Sequence, residues 1–473
     1  MGLFRWPRIA YNHRMKIIFV FIVLSSLALF AGPLQEIRTQ EQFETYLTAS
    51  GFNGVLMVTE KNRVLYKKAY GVKDFISMAP LTTDDKFQIG SVTKQFIAAA
   101  LLKLQQEKKL SIDDEVVKYL PLLENFKGIS IRDVLNHTSG IANYTDQPSF
   151  WQTVDFNRAS GFDEILNFTE KLKLEFTPKS KWKYSNSGYI VAGKILEIVS
   201  GQTWDQYLKT NFFEPLNMSE TGYAPYFKNV SDVKGYVASE EGLVPFEFNM
   251  TWVLSAGALH STVDDLMKWI AIYDTSELLN SESKTEMQTP FLANYALGIG
   301  VEKFNNEIKI SHNGRVPGFT TALTYLKTSQ LKVVKFDNTD GGAVEAGSLA
   351  LNFFANGFVN ALKTKSFPIK KEILSDYLGD YNGSKMNFNI FVKDETLFLQ
   401  PNDGQPAYTL VANDVDSFRL LGIAGEEFIR NTAGAVTELK HYQGGNISIF
   451  KKQTGQESRP VFSTKKINSL EIL

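Results

Sequence analysis

The chain has 473 residues, 44% of them apolar, and its 50 basic side chains nearly balance its 51 acidic ones, leaving a formal net charge of −1. This composition predicts a globular protein large enough for two folded units and excludes a long-range field that would gather nucleic acid, so the expected partner is a small-molecule or peptide substrate. The absence of cysteine excludes disulfides, thiolate nucleophiles and cysteine-based metal sites.

An apolar segment lies near the N-terminus. Residues 17–31 carry no charge, follow the basic residues Arg14 and Lys16, and end where Ala31 and Gly32 offer small residues for cleavage. This layout is typical of a secretory signal peptide, and the run is short for a membrane span. We therefore expect residues 1–31 to be a signal peptide, with Met15 as the true start, and the mature chain to be periplasmic or secreted without a membrane span.

A hairpin and a buried helix are predicted next. Residues 54–59 and 63–71 are β-rich runs joined by a polar turn, a pattern that predicts an antiparallel hairpin. From Ser91 to about Lys108, helix formers carry apolar residues on nearly every side. This pattern predicts a helix that lies buried inside a domain.

Shorter helical patterns alternate with turns between residues 110 and 290. They include residues 187–200, residues 204–211 and a helix start at Thr262, and together they predict a largely helical subdomain. Strand-like runs return at residues 296–304, 307–312, 320–327 and 331–337. We expect these strands to complete one antiparallel sheet with the early hairpin.

The character of the sequence changes near Phe367 and Pro368. Short alternating runs such as residues 387–392, 396–400 and 447–451 follow, separated by Gly and Asn. They predict a small all-β domain over residues 367–473, which leaves residues 32–366 as the unit that carries the chemistry. No internal repeat supports a solenoid or propeller.

Ser91-Val-Thr-Lys94 places a hydroxyl at the start of the buried helix and an amine on the same face, one turn further on. A buried lysine loses part of its preference for the charged form, so the pair can activate serine without histidine. The same spacing begins at Ser180, Ser231, Ser281, Ser329, Ser448 and Ser463. Only Ser91 follows a strand-like run and opens a long apolar helix. The structural alternative is a helix-capping serine beside a solvated lysine.

Two further motifs favour the catalytic interpretation of Ser91 and Lys94 over the helix-capping one. Tyr184-Ser-Asn186 and His312-Asn-Gly314 are the only matches to Tyr-x-Asn and His-x-Gly in the chain. With Ser91/Lys94, and in this order, they resemble the three motifs of class C β-lactamases and related DD-peptidases. Stretches at residues 89–96, 135–140, 255–266 and 316–319 resemble the family too, and the resemblance covers roughly residues 40–345.

The resemblance implies an α+β fold, in which an antiparallel β-sheet flanked by helices meets a helical subdomain at the active site. It implies that Ser91 is the nucleophile and that Lys94 and Tyr184 share the proton transfers. A nearby ammonium would favour the tyrosine phenolate, and which of the two groups is the base stays open. Asn186 would hold the substrate amide and the lysine.

The resemblance also gives roles to the third motif. His312 and Gly314 would border the substrate, and the backbone N–H groups of Ser91 and Arg315 would form the oxyanion hole. The third motif of class C β-lactamases usually begins with lysine, so histidine at 312 puts efficient β-lactam hydrolysis in doubt. Histidine is neutral or charged near pH 7 depending on its surroundings, so its binding of a substrate carboxylate should vary with pH.

Three other classes of function fit the sequence less well. A non-catalytic penicillin-fold protein that binds a peptide or a partner is the main alternative, and the intact Ser91/Lys94/Tyr184 set argues against it. A conventional esterase elbow is excluded because no Gly-x-Ser-x-Gly is present, whereas an esterase activity carried by Ser91 stays open. Five scattered histidines predict neither a metal site nor a cofactor, and we leave His137, His260 and His441 out of the site.

Overall fold

A computed structural model describes residues 34–61, 63–152, 155, 158–239, 242–247, 249–339, 346–362, 368–384, 386–393, 395–402, 408–420, 424–443 and 446–453. The chain divides into two compact units. The larger spans Leu47–Gly357, and the smaller combines the segment ending at Tyr46 with the segment beginning at Phe358. The expected signal peptide, residues 1–31, lies outside the described residues. Within the described part of the chain, no helix is long and apolar enough to cross a membrane.

The strands are numbered in chain order. They are β1 (Leu34–Ile37), β2 (Gly54–Glu60), β3 (Arg63–Tyr70), β4 (Val72–Asp74), β5 (Ala79–Pro80), β6 (Phe87–Gln88), β7 (Gly222–Tyr223), β8 (Tyr236–Ser239), β9 (Gly242–Pro245), β10 (Leu259–Ser261), β11 (Gly300–Phe304), β12 (Glu307–Val316), β13 (Phe319–Leu326), β14 (Leu331–Asp337), β15 (Val359–Leu362), β16 (Gly379–Asn382), β17 (Asn387–Lys393), β18 (Thr396–Pro401), β19 (Tyr408–Asp414), β20 (Ser417–Leu420), β21 (Ala424–Arg430), β22 (Val436–Gln443) and β23 (Asn446–Lys452).

The α-helices are α1 (Gln40–Ala49), α2 (Thr93–Gln106), α3 (Ile131–Leu135), α4 (Pro148–Trp151), α5 (Phe162–Glu170), α6 (Asn186–Ser200), α7 (Trp204–Leu208), α8 (Leu254–Gly257), α9 (Val263–Trp269), α10 (Ser281–Gln288) and α11 (Ala346–Asn356). A short 3₁₀ turn, Gly90–Val92, leads directly into α2. The helices predicted at residues 187–200 and after Thr262 are confirmed as α6 and α9, and the Thr262 side chain caps α9 by accepting from Asp265 N–H.

A six-stranded antiparallel sheet organises the larger unit. Among the described residues its order is β11-β12-β13-β14-β2-β3, so the early hairpin joins the strands from residues 300–337, as the sequence predicted. The predicted strand at residues 296–304 is wrong in its first half, because β11 begins only at Gly300. Gly298 has φ +75°, and a Cβ there would lie 3.0 Å from Gln95 Cα, so the chain turns tightly against α2 before the strand begins.

The helix after Ser91 is buried, as predicted. Eleven of its residues, from Thr93 to Leu104, are inaccessible to solvent or nearly so. Its apolar side chains belong to one hydrophobic core with α6, α9 and the inner face of the sheet. Phe96, for example, stacks on Trp269 of α9 with ring centroids 3.9 Å apart. Because α2 is enclosed by the core, the residues of its first turn are held in fixed positions.

The smaller unit contains an antiparallel barrel. Strands β16 to β23 pair in sequence and the barrel is closed by β16 and β23, where Tyr381 is opposite Lys452. Its own core includes Phe388, Phe428 and Leu439. Strand β1 pairs with β15 in the same unit. The all-β character predicted for the C-terminal segment is thus confirmed.

Candidate active site

The first turn of α2 brings the Ser91 hydroxyl and the Lys94 amine together. Ser91 lies in the 3₁₀ turn, and its Oγ is 2.9 Å from Lys94 Nζ. Neither this turn nor α2 has a side-chain cap. The structural alternative of a helix-capping Ser91 is therefore wrong. Lys94 is fully buried rather than solvated.

Two carbonyl oxygens complete the surroundings of the Lys94 amine. Nζ lies 2.8 Å from Asn186 Oδ1 and 2.6 Å from the backbone oxygen of Ala256 in α8. The aromatic rings of Tyr184 and Tyr189 face the same nitrogen, with centroids 4.9 and 5.4 Å away. Three segments that are remote in sequence thus meet at one amine.

The Tyr184–Asn186 segment is fixed by its neighbours. The Ser185 side chain caps α6 by accepting from Gly188 N–H. Asn186 donates through its backbone N–H to Asn143 Oδ1 and through Nδ2 to Thr145 Oγ1, both at 3.0 Å. The amide of Asn186 therefore presents its oxygen, and not its nitrogen, to Lys94. Sequence analysis missed the roles of Thr145 and Asn143, which match no motif that it used, and of the Ala256 carbonyl, which lies in the stretch 255–266 but was given no role.

Burial shifts the pKa values of both Lys94 and Tyr184. Burial lowers the pKa of Lys94 well below its usual value, which favours the neutral amine. Burial also raises the pKa of Tyr184, and a hydrogen bond with Ser91 offsets only part of this increase. Both shifts favour the uncharged forms, an amine at Lys94 and a phenol at Tyr184, and a Tyr184 phenolate beside a lysine ammonium stays a prediction.

Two glycines allow β12 to approach the turn that carries Ser91. A Cβ on Gly314 would lie 1.9 Å from Ile89 O and 3.3 Å from Ser91 N, and one on Gly90, whose φ is +51°, would lie 2.5 Å from Arg315 N. The backbone N–H groups of Ser91 and Arg315 consequently belong to two segments in direct contact. Gly314 thus has a packing role. Its contact with a substrate stays a prediction.

His312 is buried on β12, and both of its ring nitrogens are occupied. Nδ1 is 2.6 Å from Asn313 O, and Nε2 is 2.8 Å from the hydroxyl of Tyr295. Burial and the proximity of Lys94 lower the pKa of His312 to about 4, so the ring is neutral at pH 7. Tyr295 is another residue that sequence analysis missed, since it lies in a turn with no motif of its own.

His137 lies against the site although sequence analysis set it aside. Its ring centroid is 4.3 Å from that of Tyr184, and its Nδ1 accepts from Ser185 N–H at 3.2 Å. His260 pairs with Gln88 across β10 and β6, whereas His441 lies in the barrel beside Glu426. Within the described ranges, no group of three or more His, Asp or Glu side chains is arranged to hold a metal ion.

A separate cavity of about 280 Å³ lies in the larger unit. Its lining includes Gln88, Phe227 and Phe319, but not Ser91, Lys94 or Tyr184. We locate the candidate active site by the side-chain cluster rather than by this cavity, because the chemistry requires the serine and the amine to be in contact.

Comparison with solved structures defines the class of fold. A superposition on the octameric penicillin-binding protein homologue from Pyrococcus abyssi has a TM-score of 0.62 at 23% identity, covering 87% of this chain and 99% of the other. The fold is therefore penicillin-binding-protein-like, with an all-β barrel region at its C-terminal end.

The sequence comparisons identify the family. The beta-lactamase family profile matches residues 40–353. This chain belongs to that family and is a hydrolase. It is 28% identical over 316 residues to the putative penicillin-binding protein PbpX of Bacillus subtilis, covering 66% of this chain and 76% of the relative. It is also 28% identical to the teichoic acid D-alanine hydrolase of Staphylococcus aureus, covering 49% of this chain and 56% of that protein.

Proposed function

We propose that this protein is an exported serine hydrolase that forms an acyl-enzyme on Ser91 and acts on D-amino-acid peptides or on cell-wall-type amides and esters. Residues 1–31 would be its signal peptide and residues 32–366 its catalytic domain. The D-stereochemistry is suggested by a relative named a teichoic acid D-alanine hydrolase. We assign catalytic roles to Ser91, Lys94 and Tyr184.

The contacts of Lys94 are the observation on which the proposal depends. A neutral amine has two N–H bonds to donate and one lone pair. Asn186 Oδ1 and Ala256 O can only accept, whereas the Ser91 hydroxyl can donate. A neutral Lys94 therefore satisfies all three contacts when its lone pair accepts the Ser91 proton. This is the arrangement that a general base requires.

The reaction follows from this arrangement. As Lys94 takes the proton, Ser91 Oγ bonds to the substrate carbonyl carbon, and the developing oxyanion accepts from the N–H groups of Ser91 and Arg315. The bond to the leaving nitrogen or oxygen then breaks, and the proton passes through the Tyr184 hydroxyl to that atom. Water reverses these steps to release the acid and free Ser91.

Intact-protein mass spectrometry tests the proposal. After incubation with a fluorophosphonate, or with a fluorescent penicillin, we expect one adduct that maps to Ser91 and is lost in Ser91→Ala. Ser180→Ala is a matched control, because Ser180 begins another Ser-x-x-Lys sequence and its hydroxyl donates to Thr177 O on the surface. If neither probe labels the folded protein, the non-catalytic binding alternative is favoured instead.

A further inference from the structure

The hydrogen bonds of the His312 ring limit which substrates the site can bind. Asn313 O can only accept, so Nδ1 of His312 carries a proton and donates it there. In the neutral ring, Nε2 has only a lone pair and accepts from the Tyr295 hydroxyl; in the charged ring, Nε2 would donate to the same oxygen. In either state neither nitrogen is left to bind a substrate carboxylate.

His312 lies close to the group that we expect to protonate the leaving atom, so its inability to bind a carboxylate concerns the leaving group of the substrate. Its ring centroid is 6.5 Å from that of Tyr184, the group we assign to protonate the leaving atom. Arg315, whose N–H would serve the oxyanion, lies three residues further along β12, about 10 Å away at about 3.3 Å per residue. A leaving group beside Tyr184 would therefore lie near His312.

Three neighbouring basic residues, Arg315, Lys94 and Lys183, do not replace His312 as an anion-binding group. Arg315 lies at an odd position of β12, so its side chain extends from the opposite face of the strand to His312 and is exposed while His312 is buried. The Lys94 amine is occupied by its three oxygen partners. Lys183, next to Tyr184, is paired with Glu175 at 2.6 Å.

We propose that the site selects uncharged leaving groups, so that amides and esters with no free carboxylate beside the scissile bond are cleaved in preference to those that carry one. This inference rests on the proposed acyl-enzyme function and narrows its substrate class. A carboxylate beside the His312–Tyr295 pair would lose water without gaining a cation. In the reaction, Ser91 Oγ bonds to the acyl carbon, the leaving atom takes the serine proton, and a neutral alcohol, thiol or amine departs.

Two thioesters with the same acyl group and the same scissile bond test this inference. N-Acetyl-D-alanyl-thioglycolic acid has a carboxylate in its leaving group, and its primary amide does not. We expect kcat/KM for the amide to exceed that for the acid by about tenfold or more, with most of the difference in KM. Equal values, a preference for the acid, or cleavage of neither thioester overturn the inference. Parallel labelling of Ser91 by a fluorophosphonate shows separately whether the proposed function stands.

Substitution of His312 provides a second test. In His312→Lys, a cation on the buried face should move the amide-to-acid ratio towards the acid by about tenfold. Asn313→Lys is the matched control, since it adds the same charge on the opposite, exposed face and should leave the ratio unchanged. If His312→Lys does not fold, Tyr295→Phe removes the hydroxyl that occupies Nε2, so a protonated His312 ring can donate to a carboxylate and the ratio should shift towards the acid as the pH falls towards about 4. An unchanged ratio in the folded variants, or an equal shift in the control, overturns the inference.

Discussion

Lys94 is held by three oxygen atoms, two of which come from distant parts of the chain. Ser91 is in the preceding turn, Asn186 is the first residue of α6, and the Ala256 carbonyl belongs to α8. Each partner fixes one direction around Nζ, so the lone pair of the neutral amine points at the serine. The activity should thus depend on the protonation of this one amine.

The first prediction concerns the pH profile of the enzyme. A protonated Lys94 cannot accept the Ser91 proton, so kcat/KM should fall as the pH falls through the pKa of Lys94 and rise to a plateau above it. Burial lowers that pKa, so the acid limb should lie well below the pH range in which an ordinary lysine titrates. His312, with a pKa of about 4, should add no step between pH 6 and 8. An acid limb centred near the ordinary lysine pKa of about 10.4 would contradict this assignment.

The second prediction concerns Asn186. In Asn186→Asp, a carboxylate of the same shape would stand about 2.8 Å from Lys94 Nζ and favour the ammonium. We expect the acid limb of kcat/KM to move to higher pH, with a loss of about 10²-fold or more at neutral pH, within the range for loss of a general base. Asn125→Asp makes the same change at an exposed position and should leave the profile unmoved. A uniform loss with an unshifted limb would indicate a purely structural effect.

Among single residues, the proposed catalytic residues could be predicted from the sequence, whereas the residues that hold them in place could not. The spacing of Tyr184 and Asn186 occurs once in the chain, whereas that of Ser91 and Lys94 recurs and was singled out by the apolar helix that follows Ser91. The structure brings the four residues together. The Ala256 carbonyl has no side-chain signature, because any residue supplies the same oxygen. Tyr295 binds His312 only because a turn ahead of β11 places it there. No local pattern in the sequence records such a long-range contact.

At the scale of elements, the site depends on how closely β12 approaches the turn before α2. A methyl group at Gly90 or Gly314 would clash with the facing backbone, so the spacing of the two proposed oxyanion donors, the N–H groups of Ser91 and Arg315, depends on backbone packing. The sequence predicted both elements from their apolar patterns, and the late strands share one antiparallel sheet with the early hairpin, as expected. From the sequence, Gly314 was given only a substrate-binding role, because a glycine in a motif does not reveal whether a ligand or another backbone segment approaches it.

The third prediction tests this contact. In Gly314→Ala, the new Cβ would lie 1.9 Å from Ile89 O, so β12 must move away from the Ser91 turn. We expect a loss of about 10²–10³-fold in kcat, the cost of losing one oxyanion donor, with about 1–3 kcal/mol lost in stability. Gly300→Ala in the neighbouring strand β11 is the control, since its nearest contact is at 3.4 Å. If kcat is unchanged in a folded Gly314→Ala, the contact does not set the donor spacing.

At the scale of the whole molecule, the chain has two hydrophobic cores. One surrounds α2 in the larger unit, and the other fills the barrel of β16 to β23. The alternating apolar runs after residue 367 were enough to predict an all-β segment. They were not enough to predict a closed barrel, because closure depends on pairing between β16 and β23, which are the first and last strands of the segment.

The last prediction separates the two cores. Leu439→Ala removes a side chain that is fully buried in the barrel core, and we expect it to lower the stability of the barrel by about 2–5 kcal/mol. Val392→Ala, at a residue of the same barrel that is 37% exposed, should change it far less. Urea unfolding followed by circular dichroism gives both values. Since Ser91 and all three oxygen partners of Lys94 lie in the larger unit, fluorophosphonate labelling of Ser91 should continue in Leu439→Ala under native conditions. If labelling is lost while the larger unit remains folded, the chemistry depends on the barrel as well as on the α2 core.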